Sequence, residues 1–192
     1  MGRHRSRYRL MPLYFITGNA GKFAEVKAIL PQIEQLKIDL DEIQSLDPQA
    51  VIEHKLAQAA AQHDGAFIVE DSSVSFNCLN GFPGTLIKWL YESLGAARLA
   101  DLVHRYKDHS ADVIVTIGYR DPTGSMHFFT SKYSGMIVRP QGESGFGWDS
   151  IFMAAGHTKT NAELTTDEKN NVSARGGAAR MLAEHLRKDK SA

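Results

Sequence analysis

Several short stretches of this chain place residues where chemistry is easier to justify than packing. Thr17-Gly18-Asn19-Ala20-Gly21-Lys22 lies between an apolar run and a helix-like segment. Backbone N–H groups and the helix dipole favour an anion at such a turn, and Lys22 adds a full positive charge. The same pattern also describes an ordinary strand-to-helix turn. It is not the Walker loop, which needs four residues between its glycines and Ser or Thr after the lysine. Here two residues separate Gly18 from Gly21, and Phe23 follows Lys22. Glu70-Asp71 sets two carboxylates side by side after the apolar run Ala66–Val69. In an extended chain they point to opposite faces, so they should play different roles. Lys88 interrupts Leu86-Ile87 and Trp89-Leu90, either to meet an anion or to snorkel from a helix surface. Arg175 follows Ser173, a helix N-cap residue type, and a cation at a helix N-terminus needs a compensating anion.

The elements that must carry these groups follow from pattern. Leu13–Ile16 predicts a buried strand, and Phe23–Leu30 a helix stopped by Pro31. Alternation over Leu36–Leu40 predicts a half-buried strand. Pro48 opens an Ala-rich helix reaching about Gln62, and Ala66–Val69 predicts a strand ending at Glu70-Asp71. Helices are expected over Leu86–Leu94 and Ala97–Tyr106. Val113–Arg120 and Met126–Val138 read as strands of a hairpin, joined by the turn Asp121-Pro122-Thr123-Gly124. A last helix should run from Ser173 to about Arg187. Alternating strands and helices, interrupted by a hairpin, predict an α/β fold with a mixed sheet.

The chain has 192 residues, 43% of them hydrophobic, which suffices for one well-buried core. Its formal net charge is zero, so nothing in the bulk charge draws it to nucleic acid or to an anionic membrane. Cys78 is the one cysteine; no intramolecular disulfide can form, which fits a reducing cytoplasm. No stretch approaches the roughly 18 apolar residues of a transmembrane helix. Arg3, Arg5, Arg7 and Arg9 make the start basic. Residues 1–12 read as a solvated extension or added leader, the alternative being a nucleic-acid or targeting arm. Residues 13–192 read as one domain with two lobes.

Taken in order, TGNAGK at Thr17–Lys22, VEDSSVSFNCLNGFPGTLIKW at Val69–Trp89, GFGWDSIF at Gly145–Phe152 and AELTTDEKNNVSAR at Ala162–Arg175 resemble the inosine triphosphate pyrophosphatase family. The resemblance runs from about Leu13 to Leu186. It implies a mixed twisted sheet flanked by helices, with the active site in a cleft between two lobes. It implies Mg²⁺-dependent hydrolysis of aberrant purine nucleoside triphosphates (ITP, dITP, XTP) to a monophosphate and pyrophosphate, by a cytoplasmic homodimer binding neither nucleic acid nor membrane.

By that resemblance, Asp71 is the essential acid, as metal ligand and water activator, and Glu42 is the other metal ligand. Asp41 beside it is the alternative if the alignment slips by one residue. Thr17, Gly18, Asn19 and Lys22 hold the triphosphate, together with Lys55, Ser72, Lys88 and Lys169. Phe146, Gly147, Trp148 and Asp149 form the base segment: Phe146 stacks, and Asp149 or backbone groups read the edge. Arg175 completes the nucleotide site. Taken without the family, Asp41-Glu42 is an exposed acidic loop, Lys55 an ordinary helix lysine, Lys169 part of a solvated cluster, and Phe146-Trp148 a core aromatic pair. Two positions depart from the family. Ser173-Ala174-Arg175 replaces Ser-His-Arg, and Thr85-Leu86 follows Pro83-Gly84 where a Tyr is usual two residues on. Both concern the nucleoside end. The alternatives are therefore a related pyrophosphatase with shifted base preference, or a non-catalytic nucleotide-binding relative.

Overall fold

The computed structural model describes residues 12–189; the basic stretch at residues 1–11 lies outside them. Its elements are β1 (Leu13–Ile16), α1 (Ala20–Ile29), β2 (Ile33–Leu36), α2 (Pro48–Gln62), β3 (Phe67–Phe76), β4 (Pro83–Gly84), α3 (Ile87–Val103), β5 (Ser110–Arg120), β6 (Met126–Ile137), β7 (Phe152–Ala154), α4 (Thr166–Asn171) and α5 (Ala174–Asp189). One seven-stranded sheet runs in the order β2-β1-β3-β5-β6-β7, with β4 paired to β3. β1 is parallel to both β2 and β3, and the later pairs are antiparallel. The expected mixed α/β sheet is therefore present.

Several boundaries differ from the sequence reading. The helix expected from Phe23 begins at Ala20, because Asn19 caps it by accepting from the Lys22 N–H at 3.0 Å. The strand expected at Leu36–Leu40 is Ile33–Leu36 instead. The alternation beyond it has another cause: Ile38 and Leu40, like Leu36 at the end of β2, pack on the α2 side of the sheet, but they do not pair as a strand. β3 does not end at Glu70-Asp71 but continues to Phe76, held in register against Ala111–Arg120 of β5. The two helices expected before β5 meet at Gly95, whose φ of 70° and ψ of 169° break the helical path. β7 and α4 were not anticipated; the first is short, and the second is a six-residue helix with a Thr165–Glu168 capping box.

Both faces of the sheet are covered. The larger core lies under α1, α3 and α5, around Phe15, Phe76, Leu99, Ile117, Phe152 and Leu182. On the other face α2 presses Ile52 and Leu56 onto Phe67 and Val69. It comes so close that a Cβ at Gly118 would stand 2.6 Å from Ile52 Cγ2. The crossover through α1 leaves β1 toward β2, and the crossover through α2 returns to β3 on the other side. The chain thus reverses its strand order at β1, and the crevice beyond the carboxyl end of such a strand is where open α/β sheets bind ligands.

Candidate active site

The loop after β1 is built by local hydrogen bonds. Thr17 Oγ1 accepts from the Asn19 N–H at 3.1 Å, and Thr17 is anchored to β2 through its N–H to Leu36 (3.2 Å) and its carbonyl to Gln35 (2.9 Å). The opening turn of α1 therefore faces a cavity of about 870 Å³, with Thr17, Gly18, Asn19 and Lys22 along its wall. Helix N-termini leave backbone donors without intrahelical partners, so this wall suits an anion.

Glu70 and Asp71 separate as extended backbone requires. Asp71 lines the cavity and its Oδ1 accepts from Lys55 Nζ at 2.7 Å. Lys55 also reaches Glu42 Oε1 at 3.4 Å, and Lys88 reaches Glu42 Oε2 at 2.7 Å. Asp41 is turned away toward Gln58, whose amide it meets through its own N–H (2.7 Å) and carboxylate (3.0 Å). Glu42 is thus the acid of this pair that meets the lysines. Lys55 is 7% exposed, which overturns the reading of an ordinary surface lysine. Burial pushes the Asp71 carboxyl above its usual range, with Lys55 and Lys22 pulling it partly back. Partial burial pushes Glu42 the same way, but Lys88 and Lys55 outweigh it and hold that carboxyl below its usual range. The Lys55 ammonium is held above its usual range: Asp71 and Glu42 outweigh its burial.

Behind the cavity lies a chain of alternating charges. Asp149 Oδ2 meets Lys169 Nζ at 2.6 Å, and Lys169 meets Glu25 Oε1 at 2.6 Å. Glu25 Oε2 meets Arg175 Nη1 at 2.6 Å, Arg175 Nη2 meets Glu70 Oε1 at 3.4 Å, and Glu70 Oε2 meets Lys22 Nζ at 3.1 Å. Ser72 Oγ donates to Glu70 at 2.6 Å and accepts from Arg175 at 3.0 Å. Burial raises Glu70's pKa, but Arg175 and Lys22 prevail and hold it at about 2. Burial also works against the charge on Arg175, yet Glu70 and Glu25 keep its pKa above the ordinary arginine value. The anion that Arg175 needs at the α5 N-terminus is therefore supplied by the protein itself. Lys169 belongs to no solvated cluster; it is 5% exposed. Glu25 was missed in the sequence. Its one signal was position, three residues after Lys22 on the same helix and hence on the same face.

The Phe146 ring rests on Gly21, where a Cβ would collide with it, and lies 4.6 Å from Lys169 Nζ and 5.4 Å from the Arg175 guanidinium carbon. Gly147 and Trp148 continue into the large cavity. Asp149 stands behind them: it accepts from the Phe146 N–H at 2.8 Å and braces the turn. A second cavity of about 40 Å³ opens there, lined among others by Phe146, Asp149, Asn161, Lys169, Ala174 and Arg175. Asn161 Oδ1 and Arg175 Nε are buried near it without hydrogen-bond partners among the described residues. Ser173 caps α5 by accepting from Gly176 N–H at 3.2 Å, which puts Ala174 in the cavity wall, 1% exposed. At the cavity mouth Thr85 donates its hydroxyl to the Ser45 carbonyl, tying α3's approach to the loop that carries Glu42.

The sequence profile of the Ham1 family matches residues 13–185. The inosine triphosphate pyrophosphatase of Pyricularia oryzae is 42% identical over 172 residues, covering 88% of this chain and 89% of that protein. That of Batrachochytrium dendrobatidis is 39% identical over 179 residues, covering 91% and 94%. Among solved structures, the Staphylococcus aureus Ham1 protein superposes with a TM-score of 0.72 at 25% identity, over 92% of this chain and 98% of that one. A Ham1 protein from Coxiella burnetii gives the same TM-score, identity and coverage.

Proposed function

Because this chain belongs to the Ham1 family, we propose that it is a nucleoside triphosphate pyrophosphohydrolase acting on aberrant purine nucleotides, ITP, dITP and XTP, and releasing a monophosphate and pyrophosphate. The observation that carries this reading is the convergence of Lys22, Lys55 and Lys88 on one large cavity that also holds the carboxylates of Glu42 and Asp71. A triphosphate needs that many cations and oriented donors to offset its charge. The pairing within the site suits an exchange of partners. A bound triphosphate takes Lys55 and Lys88, and their release frees Glu42 and Asp71.

Those carboxylates fit Mg²⁺, a hard cation that takes oxygen ligands and keeps several waters. The Lys55 ammonium, 2.7 Å from Asp71 and 3.4 Å from Glu42, shows that both acids reach one cation. When bound, the metal would neutralise charge developing on the phosphate oxygens. Asp71, its pKa raised by burial, is placed to orient the attacking water and accept its proton, since a base works best as its pKa nears the working pH. Thr17, Asn19 and the α1 N-terminus hold the phosphates in line. Phe146, Lys169, Arg175 and the Gly147–Trp148 backbone form the wall for the base. In the same reading the protein acts as a cytoplasmic homodimer.

The test is pyrophosphate release from ITP, XTP, dITP, GTP and ATP, with hydrolysis in ¹⁸O-labelled water. Label in the monophosphate is expected, since water attacks the α-phosphorus. Orthophosphate carrying label, with no pyrophosphate formed, would overturn the mechanism. A second reading, shifted base preference, is favoured by one observation: Ala174 leaves the small cavity open beside Arg175. Faster turnover of GTP or ATP than of ITP would select it.

A further inference from the structure

We propose that Asn161 is a specificity-determining residue for the base: its unpaired amide oxygen is the acceptor for the ring N–H by which a 6-oxopurine differs from adenine. The inference rests on the pyrophosphohydrolase reading above and deepens it, because it names the atom of the base that the small cavity beside Ala174 selects.

The backbone fixes where Asn161 stands. It opens a short helical turn, Asn161–Glu163, whose start is held by Glu163 Oε2 accepting from the Thr160 N–H at 2.8 Å. Ala162 donates its N–H to the Asp149 carbonyl at 3.1 Å, which ties this turn to the segment carrying Phe146. The Asn161 residue is 7% exposed, and its amide can face only one way. Nδ2 points at Asp149 Oδ1, 3.5 Å away. A carboxylate offers only acceptors, so the reverse orientation would set oxygen against oxygen. Oδ1 is thereby turned from Asp149 and has no hydrogen-bond partner among the described residues. The neighbouring acceptors are engaged: Asp149 Oδ2 takes Lys169 and the Phe146 N–H, Ser72 takes Arg175, and Ser173 takes the Gly176 N–H.

A buried acceptor is costly unless a donor reaches it, so one in a ligand wall favours a ligand that brings an N–H. Ala174 ends at Cβ in the same wall and leaves a space of about 40 Å³, which shares Phe146, Gly147 and Trp148 with the large cavity. Hypoxanthine joined to ribose through N9 has a single N–H, at N1, and guanine carries it too. Adenine has a bare lone pair there. Against Asn161 Oδ1 the first two form a hydrogen bond, whereas adenine sets lone pair against lone pair. Asn161 therefore sorts 6-oxopurines from adenine and does not sort ITP from GTP. Its loss leaves Asp149 held by Lys169 and the Phe146 N–H, and Lys22, Lys55 and Lys88 with their own carboxylates.

The experiment compares wild type with Asn161→Leu, which keeps much of the shape and loses the acceptor, and with Asn161→Ala, each checked for folding by its thermal transition. The constants kcat and KM are measured for ITP, GTP and ATP, and inorganic tripolyphosphate is titrated by calorimetry. Asn161→Leu should lower kcat/KM about tenfold for ITP and GTP alike, the scale of a buried N–H left without its acceptor. ATP should lose nothing or gain, so the ITP/ATP ratio narrows about tenfold while the ITP/GTP ratio holds. Tripolyphosphate affinity should stay within about twofold, as expected of sites that share no partner. Equal losses for all three nucleotides would mean a merely structural role and overturn the proposal. No change would overturn it too, as would a loss for ITP without one for GTP. If Asn161→Leu does not fold, Asn161→Ala must give the same pattern. Failure of the functional reading looks different, since the wild type would then release no pyrophosphate from ITP.

Discussion

Replacing Asp71 by Asn should separate activity from stability. The amide has the same shape, so β3 keeps its pairing with Thr116 of β5, and the amide oxygen can still accept from Lys55, now 2.7 Å from Oδ1. What disappears is the charge and the lone pair that takes a proton. Loss of general-base action alone costs about 10²–10⁴-fold, or roughly 3–5 kcal/mol of barrier, and loss of a carboxylate proposed to hold the metal would add to it. Stability should move the other way. Burial raises the Asp71 pKa in the fold, so its ionised form is less favoured there than in the unfolded chain. A carboxylate with a raised pKa subtracts stability wherever it is ionised, above its unfolded pKa. The neutral amide removes that cost near pH 7, and the melting midpoint should hold or rise. The assay is pyrophosphate release from ITP at saturating Mg²⁺, beside a thermal melt of the same preparation. Activity within about tenfold of wild type would refute the role of Asp71. A midpoint several degrees lower would refute the electrostatic argument even if activity were lost.

Ala174→His should fill the cavity of about 40 Å³ beside Phe146 and Arg175, adding a donor or acceptor near the base. One neutral hydrogen bond contributes about 0.5–1.5 kcal/mol net, so the ITP-over-GTP ratio of kcat/KM should sharpen by roughly 2- to 13-fold with kcat little changed; unchanged ratios would show that Ala174 does not face the base. Asp121→Ala should loosen the β5–β6 turn. Burial raises the Asp121 pKa, but Thr123, His127 and Ser125 outweigh it and hold the carboxyl at about 2. The stability it contributes is present above its unfolded pKa near 4 and is lost as pH falls toward 2. Solvent screening reduces that contribution to roughly 1 kcal/mol, or about 2–4 °C at neutral pH. The wild-type advantage in urea melts should vanish by about pH 2; an advantage independent of pH would count against the carboxylate.

Local rules made much of this site legible in the sequence. Strand alternation alone sends Glu70 and Asp71 to opposite faces, and the structure places one in the buried charge chain and the other in the cavity. Ser173 is a capping residue by type, and it caps α5. The Asp121–Gly124 turn joins β5 and β6 as its composition demands. Other features depend on distant partners. Pairing with β5 carries β3 on past Asp71 through Ser72–Phe76; polar Ser72, Ser73 and Ser75 gave no local sign of it. Lys55 looked like an exposed helix lysine until Asp71, 16 positions away, came within 2.7 Å. Glu25 meets Lys169 and Arg175 across 144 and 150 positions. A charge is costly to bury alone and tolerable only beside its counter-charges. The sequence by itself therefore determined the Ser173 cap, the β5–β6 turn and the alternation of side chains along β3, because those depend on neighbours a few residues apart. Only the tertiary structure decided which charged residues leave water, because that requires partners from distant segments to arrive in the same place.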